Sequence, residues 1–215
     1  MTIKWIIFDA MGVIFQERNL LNQRLIPFIK GISKNIRERD IRRCYYKASL
    51  GKLSSFKFWI KLGLDKYYPE IEFDFLYNNY TLDREFLKNS EKFKKNFSLG
   101  LLTNHIKEWM NFLADRFNLN DYFEFILSSG DVGIRKPSKE LYHYLIEKNG
   151  LIPEECIVVD DKLKNLNAAS QVGLNTIRLI KHSKKVGFCS EFEVTSFKEL
   201  FTTVENFFGD KNKLK

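Results

Sequence analysis

Residues 3–14, IKWIIFDAMGVI, constrain this chain more than any other stretch. Ile3, Trp5, Ile6, Ile7 and Phe8 make an apolar, β-branched and aromatic run of strand length, the pattern of a strand buried on both faces. A single carboxylate, Asp9, stands where that run ends, and Gly12 follows three residues later. A carboxylate at the carboxyl end of a hydrophobic strand sits where open α/β sheets place their ligands. A turn Asp leading into the next segment has the same local sequence, so the choice rests on the rest of the chain.

From Phe15 to about Thr81 the pattern turns helical. Leu20, Leu21, Leu25, Ile26, Phe28 and Ile29 recur at helical spacing, residues 36–50 follow suit, and Ser54-Ser55 caps a helix that carries Phe56, Phe58, Trp59 and Ile60. Pro69 interrupts the series before residues 73–80 resume it. Beyond residue 83 the period changes again. Helices are expected over 83–97, 106–117, 138–149, 165–172 and 196–208, and strands over 98–103, 122–127, 156–159 and 176–179. Such alternation makes βαβ units and a parallel sheet covered on both faces. The expected fold is therefore α/β, a doubly wound parallel sheet with an inserted all-helical cap. Residues 1–14 plus 84–215 form the core and 15–83 the cap, and the last residues, GDKNKLK, are expected to fray.

Composition narrows the function. The 215 residues, 44% hydrophobic and 29% charged, suit a globular protein with one sizeable core. No apolar run approaches the roughly 20 residues of a membrane span, and the chain enters its first strand at once, so a soluble cytoplasmic protein is expected, a monomer or weak homodimer. Cys44, Cys156 and Cys189 are far apart and free of any CxxC pair, which argues against disulfides and thiolate metal sites. The net charge of +8 arises from Lys and Arg interleaved with Asp and Glu, a solvated surface rather than a nucleic-acid patch. Positive potential favours anionic metabolites instead.

Strand ends of a parallel sheet converge on one edge, which should gather Asp9, Thr103-Asn104, the loop with Lys136, and Asp160-Asp161 into one crevice. Three carboxylates in one site repel unless a cation lies between them. A hard ion such as Mg²⁺, held by carboxylates, a carbonyl and water, removes that cost. Hydroxyl, amide and ammonium groups nearby are what phosphate oxygens require. Together they point to phosphoryl chemistry through a carboxylate intermediate.

In order and spacing these segments resemble the haloacid dehalogenase superfamily, in its branch with a helical cap after the first motif. The family's first motif, a strand followed by Asp-x-Asp-x-Thr or Val, corresponds to Asp9-Ala10-Met11-Gly12-Val13. A strand ending in Ser or Thr corresponds to LGLLTN at Thr103, the Lys before a helix to RKP at Lys136, and the acidic pair to VVDD at Asp160-Asp161. The resemblance implies that Asp9 is the nucleophile and a metal ligand. Thr103 and the backbone of Asn104 would hold phosphoryl oxygens, and Lys136 would neutralise charge. Asp161, supported by Asp160, would bind Mg²⁺ together with the Met11 carbonyl. Bland readings stand beside these: Thr103 as a helix cap, Lys136 as a surface lysine, Asp160 as a cap. Asn165 and Asn167 read as helix-surface or supporting groups.

One position departs from the family pattern. Its phosphatases carry a second Asp two residues after the nucleophile as general acid and base, and this chain has Met11 there. A thioether cannot protonate a leaving alkoxide, a loss of about 10²–10⁴-fold with poor leaving groups. Met11 leaves three readings open: a Mg²⁺-dependent phosphatase of a small phosphorylated metabolite, a 2-haloacid dehalogenase (whose FDAYG is close to FDAMG), and an impaired relative that binds a ligand or partner. His105 is a candidate substitute acid, set against a structural histidine. Trp59, Tyr67, Tyr68, Tyr77 and Tyr80 form either a recognition face or, by their helical spacing, cap core.

Overall fold

The computed structural model describes residues 2–181 and 192–208. Cys189 and the expected frayed tail lie outside the described residues. Six parallel strands form one sheet: β1 (Trp5–Phe8), β2 (Ser98–Thr103), β3 (Phe125–Ser128), β4 (Cys156–Asp160), β5 (Asn175–Leu179) and β6 (Glu193–Val194), in the order β3-β2-β1-β4-β5-β6. This is the order of doubly wound dinucleotide-binding sheets, which place ligands beyond the strand ends where the winding reverses, here beside β1.

Alternation along β1 explains the two layers. Ile6 and Phe8 face one side and Ile7 the other, and each set belongs to a separate apolar cluster. The Phe8 ring meets Phe86 and Phe93 of α5 (Arg84–Asn96) and Phe197 of α10 (Phe197–Phe208), at centroid distances of 6.0, 5.8 and 6.1 Å. On the opposite face Ile7 packs with Leu141 and Leu145 of α8 (Lys139–Asn149) and Leu166 of α9 (Leu163–Ser170). Two-sided burial is why β1 reads as a continuous apolar run.

Between β1 and α5 the described chain is helical: a π-turn at Leu21–Leu25, then α1 (Ile26–Ile32), α2 (Glu38–Ala48), α3 (Ser55–Lys61), and α4 (Glu70–Asn78). Ser54 caps α3 by accepting from the Lys57 amide, as its sequence suggests. α4 begins directly after Pro69 rather than at residue 73, because proline fits a helix start and only a helix interior excludes it. Entry and exit of this insertion run side by side. Asp83 N donates to Ile14 O at 2.8 Å and Gln16 N to Thr81 O at 3.0 Å. We propose the division into a 1–14 plus 84–215 core and a 15–83 cap on that closure. Trp59 and Tyr80 are buried, as cap core requires, whereas Tyr67 and Tyr77 are exposed. Free Cys44 and Cys156 are buried, and no helix among the described residues is long and apolar enough to cross a membrane.

Two elements escape the sequence periodicity. α7 (Ser129–Val132) is one turn, set by a capping box in which Ser128 and Asp131 bond reciprocally. β6 has two residues. β3 starts at Phe125 instead of residue 122, because Tyr122 and Phe123 turn their rings onto Phe86, at 5.6 and 5.7 Å, before pairing with β2 begins.

A buried polar staple ties cap to core. Glu72 of α4 accepts at Oε2 from the indole N–H of Trp59 in α3 and from that of Trp109 in α6 (Lys107–Arg116), both at 2.7 Å. Its Oε1 accepts from Ser55 Oγ at 3.1 Å. Glu72→Ala would leave two buried indole donors unpaired, at about 1–3 kcal/mol each. Urea denaturation should show a loss of several kcal/mol, and a loss below about 0.5 kcal/mol would mean that the staple is idle.

His105 is fully buried and does not line the cavity beside Asp9, so the structure does not support it as a substitute acid. Its Nδ1 lies 3.2 Å from the Ile106 carbonyl, which only accepts, so Nδ1 carries the proton. Nε2 then accepts from Tyr80 OH at 3.1 Å, making His105 a neutral link between core and cap. Burial pushes its pKa down to about 4. The unfolded chain takes up this proton near pH 6.5 and the folded one near 4, so stability from this group is complete above 6.5 and falls as pH drops towards 4, by up to about 3 kcal/mol. His105→Gln, which keeps an acceptor for Tyr80, should flatten the dependence of unfolding free energy on pH in that window. An unchanged slope would contradict the assignment.

Candidate active site

Strand register brings the carboxylates together before any loop is considered. Phe8 pairs with Val159 and with Leu101, and Asp9 N donates to Val159 O at 2.8 Å, so Asp9 leaves β1 beside Asp160 at the end of β4. Thr103 ends β2 on the other side of β1. Asp161 follows β4 directly. Asp9, Asp160 and Asp161 are all buried, each with an oxygen within 4.8 Å of the others.

Lys136 reaches this group from the loop before α8. Its buried ammonium donates to Asp9 Oδ1 at 2.7 Å, Asp160 Oδ2 at 2.8 Å and the Leu102 carbonyl at 2.9 Å. It is not a surface lysine. Burial alone would lower its pKa, but the Asp160 and Asp9 carboxylates outweigh that and hold it above its ordinary value. Burial pushes the Asp9 carboxyl up to about 6 against the pull of Lys136, and the Asp160 charge adds to the rise. Asn104 braces the loop. Its Oδ1 accepts from Lys136 N at 2.8 Å and its Nδ2 donates to Lys136 O at 2.9 Å. The Asn104 side chain is thereby committed to positioning Lys136.

The acidic pair divides its labour. Asp160 accepts from Lys136 and from Asn165 Nδ2 (2.9 Å) at Oδ2, and from Lys162 N (2.8 Å) at Oδ1. That occupies three of its roughly four lone-pair sites. Asn165 is buried, a supporting group of the kind expected, and Asn167 is exposed. Asp161 Oδ1 is buried without a hydrogen-bond donor, its nearest cation being the half-exposed Lys162 Nζ at 3.5 Å. Asp161 Oδ2 has Arg18 Nε at 3.4 Å. Orphaned carboxylate lone pairs among three buried acids fit a hard oxygen-seeking cation. Gly12 makes room for them: at φ +81°, an added Cβ would sit 3.1 Å from Asp161 Oδ2 and 3.2 Å from Arg18 Cγ.

Thr103 Oγ1 is likewise buried with no partner, and the cap position of α6 falls to Ile106, so Thr103 is not a helix cap. A cavity of about 490 Å³, within the usual size for small-molecule sites, opens over Asp9, Met11, Thr103, Asn104 and Lys136. Arg18, Arg135, Lys162 and Lys164 also line it, a cationic wall that attracts an anionic ligand. The cap contributes Leu20, Leu21, Tyr45 and Tyr46. The motif spacing did not single out Arg18, Tyr45 or Arg135. Arg135 has one local signal, its place beside Lys136, while Tyr45 has only its position on the buried face of α2.

Over 114 residues the chain is 29% identical to the glyceraldehyde 3-phosphate phosphatase of Methanocaldococcus jannaschii, covering 50% of this chain and 49% of that protein. It thus spans about half the length of that relative. In structure it is similar to a haloacid dehalogenase family enzyme of Bacteroides thetaiotaomicron, with a TM-score of 0.74, 21% identity, and coverage of 94% and 99% of the two chains. That enzyme has also been solved with magnesium and inorganic phosphate. A 2-haloacid dehalogenase of Pseudomonas syringae is similar too, at TM-score 0.73 and 17% identity over 94% and 98% of the chains. Residues 3–173 match the family model of haloacid dehalogenase-like hydrolases, well over half of the sequence, and on that match the chain belongs to this family.

Proposed function

We propose that this protein is a Mg²⁺-dependent phosphatase that acts on a small phosphorylated metabolite through an aspartyl-phosphate at Asp9. One observation carries the reading: a buried hydroxyl without an acceptor, Thr103 Oγ1, and a buried carboxylate oxygen without a donor, Asp161 Oδ1, beside the same Asp9. A phosphoryl oxygen would complete the first and a metal ion the second. The phosphatase name of the archaeal relative and the magnesium and phosphate bound to the Bacteroides enzyme support it.

Asp9 attacks phosphorus with the oxygen that Lys136 leaves free, while Lys136 fixes the carboxylate and balances its charge. The Thr103 hydroxyl and the Asn104 backbone N–H hold phosphoryl oxygens. Asp9, Asp161 and the Met11 carbonyl would hold Mg²⁺, with Asp160 in support chiefly through Lys136, and the ion would supply charge neutralisation for the phosphoryl group. Arg18, Arg135, Lys162 and Lys164 favour an anionic substrate.

With para-nitrophenyl phosphate and Mg²⁺, Asp9→Asn should lower turnover by at least about 10³-fold. Turnover that survives the substitution removes Asp9 from the chemistry. Metal binding has its own readout: saturating Mg²⁺ should raise Tm by roughly 5–10 °C, and Asp161→Asn should abolish the rise. Equal rises in both proteins would move the ion elsewhere. Metal-independent halide release from 2-chloropropionate, without phosphatase activity, would favour the dehalogenase reading instead.

A further inference from the structure

Met11 lines the cavity where the family's phosphatases hold a proton donor, so a phosphatase with this site needs its proton from elsewhere. We infer that the hydroxyl of Tyr45, carried by the cap helix α2, is that donor: it protonates the leaving oxygen of the substrate. The inference rests on the phosphatase reading above and names a catalytic residue within it.

Other proton-bearing groups that line the cavity are exposed or already engaged: Lys162, 3.5 Å from Asp161 Oδ1, and Lys164 are both exposed. Lys136 is saturated by three acceptors. Arg18 lies against Asp161, and Arg135 donates to Ser49 Oγ with its guanidinium 5.0 Å from the Tyr46 ring. Ser138 is engaged by Glu140, and Tyr46 is 57% exposed. Tyr45 is buried and lines the cavity with Asp9, Met11 and Thr103. Its ring packs 6.3 Å from that of Trp109, centroid to centroid, and Trp109 is itself tied to the Glu72 staple. No hydrogen bond among the described residues engages its hydroxyl.

The hydroxyl also lies close enough to feel the charges of Arg135 and Asp9. Burial pushes the phenol up to about 12, Arg135 pulls it down, and Asp9 raises it further. At neutral pH it therefore keeps its proton and yields it only to a stronger base, such as a departing alkoxide. The positive charge of Arg135 favours the tyrosinate so formed. The protons balance over the cycle. As Asp9 bonds to phosphorus and the phosphorus–oxygen bond to the leaving group breaks, Tyr45 protonates that oxygen. Water then attacks the aspartyl-phosphate, its proton returns to Tyr45, and Asp9 leaves as carboxylate with inorganic phosphate released.

A leaving group that needs no proton separates this role from packing. The ratio of kcat/KM for para-nitrophenyl phosphate to kcat/KM for glycerol 2-phosphate isolates leaving-group departure, because hydrolysis of the aspartyl-phosphate comes later. Tyr45→Phe, which deletes only an unbonded hydroxyl, should raise this ratio by about 10²-fold or more. Met11→Asp added to Tyr45→Phe should bring it back down by restoring an acid. An unchanged ratio in Tyr45→Phe, whether both substrates fall together or neither falls, overturns the inference. So does a wild-type protein that turns over the aryl ester and never the alkyl one. Asp9-independent turnover of both would instead overturn the phosphatase reading beneath it.

Discussion

The Lys136 ammonium, gripped by Asp9, Asp160 and the Leu102 carbonyl, is the contact on which the site depends. It joins the ends of three adjacent strands, β1, β2 and β4. Two buried carboxylates side by side are unfavourable, and a buried cation with no counter-charge is worse; each makes the other tolerable. Removing one partner of such a group commonly costs about 3–5 kcal/mol because the rest is left buried and uncompensated. Asn104, Asn165 and the Lys162 amide hold this cluster in place from outside. One carboxylate of the three, Asp161, stays outside the ammonium's reach, and its orphaned oxygen is the chemically open position.

Packing carries this arrangement into the helical insertion. His105, two residues beyond Thr103, is neutral and linked to Tyr80, while Trp109 on the following helix shares Glu72 with Trp59. Ser129 Oγ reaches the Ser49 carbonyl at 2.5 Å, and Arg116 Nη1 the Leu76 carbonyl at 2.6 Å. Polar groups buried at such a boundary favour one seating of the cap over others, since any slip leaves donors unpaired. The cavity wall formed by Tyr45 and Tyr46 is therefore presented to Asp9 in a defined orientation.

Much of this was legible in the sequence where the physics is local or periodic. An apolar run closed by Asp9 is a buried strand with a carboxylate at its end, and four strand ends of a parallel sheet must share an edge. The helical period of residues 15–81 gave the insertion for the same reason. Features that depend on chain crossing were not legible. Asp160 and Asp161 are neighbours in sequence, yet only the Lys136 and Asn165 contacts show that one orients the ammonium while the other keeps an oxygen with no hydrogen-bond donor. Tyr45 looks like any buried aromatic of an amphipathic helix until the cap is folded over β1. His105 looked like a candidate acid because its place directly after Thr103-Asn104 is visible in sequence, whereas its burial in the core is not. α7 and β6 are too short for any period to register.

Asp9 is expected to carry the phosphoryl group during turnover. Acid quenching of the enzyme at the millisecond scale with para-nitrophenyl phosphate and Mg²⁺, followed by peptide mass spectrometry, tests it directly. A phosphoryl adduct on Asp9 that forms and decays at catalytically competent rates is the expected result. Sustained turnover with the adduct on another residue, or with no adduct at any time, would contradict it.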